Sequence, residues 1–159
     1  MAPSAPAGTL RGMPTSAPRV AAGHLHGWLY ERSGGRLGRR MAGHPVLLLT
    51  TIGRRSGRPR RTPVQYERVG GELVLAAAAG GAPAEPAWCR NVREDPDVHV
   101  RLGASEGPAV ARVAGAAERE RLWPELCERN PALEQAQRKA GREIPLVVLE
   151  LGSWAGSEA

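Results

Sequence analysis

Six short segments of apolar, or alternating apolar and polar, residues follow one another along the chain, bounded mainly by glycine, proline and charged residues. Segments of this length with β-branched residues are typical of β-strands. Helical segments separate some of them, but the strand–helix–strand alternation of a parallel sheet is absent. The pattern therefore predicts an antiparallel β-barrel of the α+β class. The six segments are 45–52, 61–69, 72–78, 97–102, 109–115 and 144–151.

Glycine and proline mark the connections between these segments. Gly70-Gly71 predicts a hairpin, so that the first three segments form antiparallel strands in succession. A second hairpin is expected across 103–107. Pro86 suits the first turn of a helix, and Pro96 would end it.

Two further helices are expected before the last strand. The first covers 116–130, where Leu122 and Leu126 lie one helical turn apart. Pro124 interrupts this pattern, so it either kinks the helix or begins a new segment. The second helix is expected at 131–140.

The ends of the chain differ in composition from its centre. Residues 1–22 are rich in proline, alanine, serine and glycine, which predicts a disordered N-terminal tail. From Gly23, the spacing of Leu25 and Trp28 predicts a short amphipathic helix. We expect one folded domain at 23–152, followed by a C-terminal tail at 153–159.

The net charge of +6 favours an anionic partner: nucleic acid, an acidic lipid surface or a phosphorylated small molecule. Aromatic residues are scarce, with no phenylalanine, which argues against a base-stacking surface for nucleic acid. No apolar run approaches the ~20 residues that cross a bilayer, so any membrane contact is expected to be peripheral. Charge alone does not choose among these partners.

The cysteine and histidine residues do not predict a metal site or a disulfide framework. Cys89 and Cys127 lack the spacing of metal ligands, and the four histidines are scattered. This use of cysteine fits a reducing, cytoplasmic compartment. Cys89 is either a small buried residue or, if Arg90 lowers its pKa, a reactive thiol.

The segment "TTIGRRSGRPRRTPV" at 50–64 contains five arginines between two predicted strands. A turn of this composition can present backbone N–H groups and guanidinium groups to phosphate oxygens. It is not a P-loop, because the Gly-Lys-Ser/Thr ending is missing and no helix follows. A solvated basic turn is an equally good interpretation of this segment by itself.

Two more segments favour phosphate binding over a solvated basic turn. With "GGAPAEPAWCRNV" at 80–92 and "REIPLVVLEL" at 142–151, the arginine segment resembles the deazaflavin-dependent nitroreductase family, also called deazaflavin-dependent quinone reductases. The resemblance extends from about Trp28 to Leu151. It implies a split β-barrel, like that of flavin reductases, that binds coenzyme F(420), an 8-hydroxy-5-deazaflavin.

The resemblance also implies an activity and a set of site residues. Members transfer a hydride from the reduced coenzyme to quinones, nitro compounds or activated alkenes, and the coenzyme carries out the redox chemistry without a catalytic triad. The arginine turn would hold the phosphate and the acidic tail, whereas the later positions would contact the ring. The implied coenzyme-binding residues are Arg54, Arg55, Ser56, Arg60, Arg61, Pro63, Ala76, Ala77, Ala78, Ala79, Trp88 and Asn91.

Two departures from the family pattern affect the expected site. Members commonly have Ser-Lys where this chain has Ala78-Ala79, which removes a cationic contact that Arg61 would partly replace. The late helix lacks the tyrosines of nitroreducing members. A polar substrate pocket lined by Gln135, Gln137 and Arg138 is therefore expected.

The resulting hypothesis is a cytoplasmic reductase, monomeric or homodimeric, that acts on a small-molecule acceptor and needs neither a metal nor nucleic acid. An alternative is a protein of the same descent that kept the barrel and the arginine turn but lost productive use of the coenzyme. A binder of nucleic acid or membrane surfaces, based on charge alone, is the third hypothesis.

Overall fold

The computed structural model describes residues 40–41 and 43–155, and all of them belong to one compact unit. The predicted tail at 1–22 and the predicted helix near Trp28 lie outside these residues. The strands are β1 Arg40–Met41, β2 His44–Ile52, β3 Pro59–Gln65, β4 Glu67–Val69, β5 Glu72–Ala76, β6 Asp97–Leu102, β7 Ser105–Val113 and β8 Leu146–Leu151. The helices are α1 Ala87–Glu94, α2 Ala116–Arg129 and α3 Ala132–Ala140.

The strands form one antiparallel sheet that curls upon itself. Its main order is β3-β2-β6-β7-β8-β5-β4, with β1 also paired to β2. β3 and β4 are thus at opposite ends, yet only Tyr66 separates them in sequence. Because one residue cannot span a flat sheet of this width, the sheet must bend until its ends meet. This is the split barrel of the α+β class that the sequence predicted.

The order of the strands differs from the predicted succession in one respect. The segment 61–69 was expected to be one strand, but it is divided at Tyr66, whose N–H donates to the carbonyl of Pro45 at 3.0 Å. The Gly70-Gly71 hairpin is present and joins β4 to β5. β5 then pairs with β8 instead of β3, because the break lets the chain leave the first edge of the sheet.

Two apolar clusters occupy the two faces of the sheet. Inside the curl, side chains from β2, β3 and β5 to β8 pack with Trp88, Cys89 and Val92 of α1. On the outer face of β5 and β8, a second cluster packs against Leu122 and Leu126 of α2 and against α3. β5 shows the alternation that makes this possible, because Leu73 and Leu75 belong to the first cluster and Val74 to the second.

The bounds of α1 agree with those that the prolines predict, but Pro124 does not divide α2. Pro86 directly precedes α1, which ends at Glu94 before Pro96. Pro124 neither ends α2 nor begins a new segment, because it lies within one helix of 14 residues. Its position is exposed, so a carbonyl that loses its helical partner there can bond to water.

Two expectations near β7 need correction. The second hairpin turn contains only Gly103 and Ala104, since Gly107 already lies in β7 and pairs with Val100. Residues 153–155 are not part of a loose tail. They form a short 3-10 turn in which Trp154 donates from Nε1 to the carbonyl of Pro108 at 2.7 Å.

Replacing Gly107 with alanine should displace Trp154 from β7. The added Cβ would lie 2.4 Å from two atoms of the indole ring. We expect the free energy of unfolding to fall by about 1–3 kcal/mol, as in other overpacked sites. Urea denaturation measures this value, and Gly115→Ala is the matched control because a Cβ at that position would meet no atom within 4 Å. Equal stability of the two variants would contradict the packing described.

Candidate functional site

The turn between β2 and β3 is held in a compact shape by its own backbone. Gly53 N–H donates to the carbonyl of Arg58 at 2.8 Å, and Gly57 N–H donates to the carbonyl of Gly53 at 2.7 Å. Gly57 has a φ of +65°, which suits glycine. A Cβ at Gly53 would lie 2.6 Å from Ser56 Oγ. A larger side chain would thus be strained at Gly57 and crowded at Gly53.

The five arginines of this segment occupy two kinds of position. Arg54, Arg55 and Arg58 lie in the turn, whereas Arg60 and Arg61 lie on β3, opposite Thr51 and Thr50 of β2. Arg55, Arg58 and Arg60 are exposed, and the other two are half-buried. The basic surface thus extends from the turn onto an edge strand.

These five side chains form no ion pair with a carboxylate in the described part of the chain. Arginines that do form such pairs lie elsewhere, among them Arg93, Arg112, Arg119, Arg121 and Arg138. Acidic partners are therefore distributed unevenly over the surface. The charge around the turn is left available for an anion from solution.

Asn91 of α1 connects the arginine turn to the interior of the domain by hydrogen bonds. Its side chain is 4% exposed, and its Oδ1 accepts from Arg54 N–H at 3.2 Å. Its Nδ2 donates to Thr51 Oγ1 at 3.0 Å, and Thr51 is fully buried. The resemblance implied that Asn91 lies on the helix that covers the coenzyme ring; in the structure its amide bonds to the turn and to β2. Thr51 was not singled out, because a threonine within a strand carries no distinctive signal.

Asn91→Ala should loosen the turn and destabilise the domain. The substitution leaves the buried Thr51 hydroxyl and the Arg54 N–H without their partner, which costs about 1–3 kcal/mol. Chemical denaturation provides the measurement. Arg90→Ala, at the exposed neighbouring position of the same helix, should change the free energy of unfolding by less than about 0.5 kcal/mol. A loss of similar size in both variants would contradict the anchoring role of Asn91.

A cavity of about 480 Å³ opens beside the C-terminal half of β3. Its walls are the outer face of β5, the end of α2 with the start of α3, the loop after β5, and Trp88 with Pro86. Leu126, Leu133 and Val74 make much of this surface apolar. Because Thr62 and Pro63 line the cavity and directly follow Arg60 and Arg61, the basic surface and the cavity are continuous along one strand.

The cavity brings together only some of the predicted site residues. Pro63, Ala76, Ala78, Ala79 and Trp88 line it, whereas Ala77 is fully buried in the interior cluster. None of the three predicted substrate residues belongs to its lining. Gln135 and Arg138 are exposed on α3, and Gln137 bonds to Arg119 and to the backbone at 142 and 144.

Asn130 was missed by the sequence analysis, although it lies at the junction of α2 and α3. It lines the cavity, is 5% exposed, and its buried Oδ1 accepts no hydrogen bond. Its φ of −137° does not require asparagine. A buried oxygen without a partner costs about 1–3 kcal/mol of stability. Such a residue is typical of a site retained for a reason other than stability.

Cys89 lies in an environment that suppresses thiol reactivity. Burial, together with a hydrogen bond to Glu85, raises the pKa of this thiol to about 12. Burial by itself would raise the pKa of Glu85, but the hydrogen bond from Arg93 at 3.0 Å brings it below its ordinary value. Cys127 is also buried, and burial raises its pKa. Of the two interpretations of Cys89, a small buried residue or a reactive thiol, the structure supports the first.

Both cysteines should therefore resist modification in the folded protein. The thiolate is the reactive form, and a pKa near 12 leaves Cys89 almost entirely protonated at pH 8. With a chromogenic disulfide reagent at pH 8, we expect no rapid reaction from either of the two cysteines. The same protein in denaturant should release both thiols. Rapid labelling of one thiol without denaturant would contradict this assignment.

Among the described residues, no group of three histidine, cysteine or acidic side chains is placed to hold a metal ion. No helix in this part of the chain is both long and apolar enough to span a membrane. The site is defined instead by a basic turn and an adjoining, largely apolar cavity on a split barrel. This combination is characteristic of proteins that bind a phosphorylated, ring-containing small molecule.

Comparison with known proteins identifies the family. The model of the F420H(2)-dependent quinone reductase family matches residues 23–151. An F420H(2)-dependent quinone reductase of Mycobacterium tuberculosis (strain ATCC 25618 / H37Rv) is 34% identical over 129 residues, which cover 79% of this chain and 87% of the relative. The chain belongs to the F420H(2)-dependent quinone reductase family. It is thus an oxidoreductase, and its coenzyme is F(420), as the resemblance implied.

Solved structures agree with this assignment. One described as an F420-H2 dependent reductase is 34% identical, has a TM-score of 0.60, and is matched over 67% of this chain and 94% of its own. Another, described as a domain-swapped dimer, is 31% identical, also with a TM-score of 0.60, and is matched over 77% of this chain and 97% of its own. Both confirm the α+β split barrel.

Proposed function

We propose that this protein transfers a hydride from reduced coenzyme F(420) to a quinone, with nitro compounds and activated alkenes as further candidate acceptors. The observation that carries the proposal is the group of arginines without carboxylate partners, next to a cavity on the same strand. The reduced coenzyme supplies the hydride. The protein has to bind both molecules, orient them and limit the access of water.

The arginine turn fits the anionic end of the coenzyme. Phosphate and glutamyl groups favour guanidinium partners, which can form paired hydrogen bonds. Arg54, Arg55, Ser56 and Arg60 would hold the phosphate, and Arg61 would contribute to binding the tail. Arg54 has a half-buried position and a backbone N–H fixed by Asn91, so its location is defined before any ligand binds. A preorganised site loses less entropy on binding.

The cavity fits the flat, apolar part of the reactants. Trp88, Pro63 and Leu133 offer apolar surface, and Ala76 and Ala78 leave room for a ring because their side chains are small. Leu126 and Leu133, with the amide of Asn130, form the wall of the cavity at the end of α2 and the start of α3, and Gln135, Gln137 and Arg138 are not part of the lining. This mainly apolar wall favours a quinone over a highly polar acceptor.

The alternative, a binding protein or redox-silent enzyme, is not favoured by membership in a reductase family. It would share the arginine turn and the affinity for the coenzyme, so binding alone does not separate the two hypotheses. Oxidation of the reduced coenzyme in the presence of a quinone does. Turnover with 2-methyl-1,4-naphthoquinone, followed by the coenzyme's absorbance, supports the reductase, and coenzyme binding without turnover supports the alternative.

Arg55→Ala and Arg60→Ala should each weaken coenzyme binding. Loss of one charge-assisted contact corresponds to roughly a tenfold or greater increase in Kd. Titration of the oxidised coenzyme, followed by its fluorescence, gives the dissociation constants. Arg121→Ala is the matched control, because its guanidinium already pairs with Glu72 and lies outside the turn. Unchanged affinity in both turn variants would show that the phosphate is held elsewhere.

A further inference from the structure

Arg142, in the connection from α3 to β8, binds the loop that follows β5. Its Nε donates to the carbonyl of Ala82 at 3.2 Å, and its Nη2 lies 3.1, 3.5 and 3.3 Å from the carbonyls of Ala77, Ala78 and Ala84. No carboxylate in the described residues forms an ion pair with it. Two of the three guanidinium nitrogens therefore bond to carbonyl oxygens of one short loop, whereas the buried Nη1 has no hydrogen-bond partner among the described residues.

The backbone of this loop has an uncommon conformation. Ala79, Gly80 and Gly81 have φ values of +47°, +64° and +84°. The left-handed region is uncommon for a residue with a Cβ, so Ala79 must be held there by its surroundings. The carbonyls that bind Arg142 lie on both sides of these three residues. The guanidinium thus ties together the two ends of the left-handed segment.

The opposite side of the same loop forms part of the cavity. Ala78, Ala79 and Gly80 all line it. Their side chains extend no further than a methyl group, so the surface they offer to a ligand is mainly backbone. That backbone is held by two hydrogen bonds within the loop, at 2.9 and 3.2 Å, and by the side chain of Arg142.

Arg142 is in turn held by α2 and α3. Gln137 donates to the carbonyl of Arg142, and its Oε1 accepts from the N–H of Ile144 at 3.0 Å. Arg119 of α2 donates to the same Oε1 at 3.1 Å and to the carbonyl of Ile144 at 2.9 Å. These contacts give Gln137 a structural role in place of the predicted substrate contact. They fix the segment from which the Arg142 side chain extends.

We propose that Arg142 is the positioning residue for the part of the site that receives the deazaflavin ring, which rests on the proposed function. It holds the backbone of residues 77–84 against the cavity, where this chain lacks the Ser-Lys pair of its family. The site then has two separate anchors: Asn91 holds the turn for the anionic end of the coenzyme, and Arg142 holds the loop for the ring.

The roles of Asn91 and Arg142 can be tested separately with two ligands. They are oxidised coenzyme F(420) and its deazaflavin chromophore without phosphate and tail. Dissociation constants are measured by ligand fluorescence, with no turnover required. Arg142→Ala should raise both constants by a similar factor of roughly ten. Arg55→Ala should raise only the constant of the full coenzyme. An unchanged chromophore constant in folded Arg142→Ala would overturn the proposal, as would wild-type protein that binds the coenzyme but not the chromophore.

Three controls distinguish a positioning role of Arg142 from a general structural defect. Arg112→Ala removes a guanidinium that pairs with Glu118 and Glu150 outside the cavity lining, so both constants should stay unchanged. Millimolar guanidinium chloride should restore chromophore affinity to Arg142→Ala, sodium chloride should not substitute for it, and guanidinium should restore no coenzyme affinity to Arg55→Ala. Failure of guanidinium to restore affinity would overturn the positioning role.

If Arg142→Ala does not fold, Arg142→Lys decides the question. An ammonium group keeps the charge but cannot reach carbonyls in the several directions that the planar guanidinium serves. A several-fold weaker chromophore affinity in this variant supports the proposal, and unchanged affinity overturns it. The proposed function fails in a different way, since wild-type protein would then bind neither ligand.

Discussion

A single residue, Tyr66, joins two strands that lie at opposite ends of the sheet. This short link forces the sheet to curl, and the curl creates both an enclosed interior and an outer face at the closing point. The cavity lies where these ends approach each other, between β3, the outer face of β5 and the end of α2. The site is therefore a consequence of how the barrel closes.

The two ends of the site are built on different physical principles. The arginine turn carries positively charged side chains, and its backbone is fixed by a hydrogen bond to the amide of Asn91 in α1, which also bonds to β2. The loop after β5 presents mainly backbone to the cavity. The guanidinium of Arg142, in the α3–β8 connection, bonds to its carbonyl groups. In both cases hydrogen bonds to a side chain distant in sequence add to those that the loop forms within its own backbone.

The departures from the family pattern acquire a structural meaning in this arrangement. Ala79 occupies a left-handed position that is unusual for alanine, and Arg142 stabilises its flanks. The absence of tyrosines at the end of α2 and in α3 leaves a wall of leucine with one buried amide at Asn130. The fold thus combines the arginine turn with a cavity wall on α2 and α3 that contains no tyrosine.

The sequence by itself determined the α+β class, four of the six long strand segments closely, the three helices and the arginine turn, because these depend on local periodicity, glycine, proline and charge. Together with the resemblance, it also indicated the family and its coenzyme. It did not determine the break at Tyr66 or the pairing of β5 with β8, since strand order depends on contacts between distant residues. For the same reason only the tertiary structure decided that Gln137 bonds to Arg119 and to the backbone at 142 and 144, and that Asn130 lines the cavity. It also decided that Asn91 bonds to the arginine turn and Arg142 to the loop after β5.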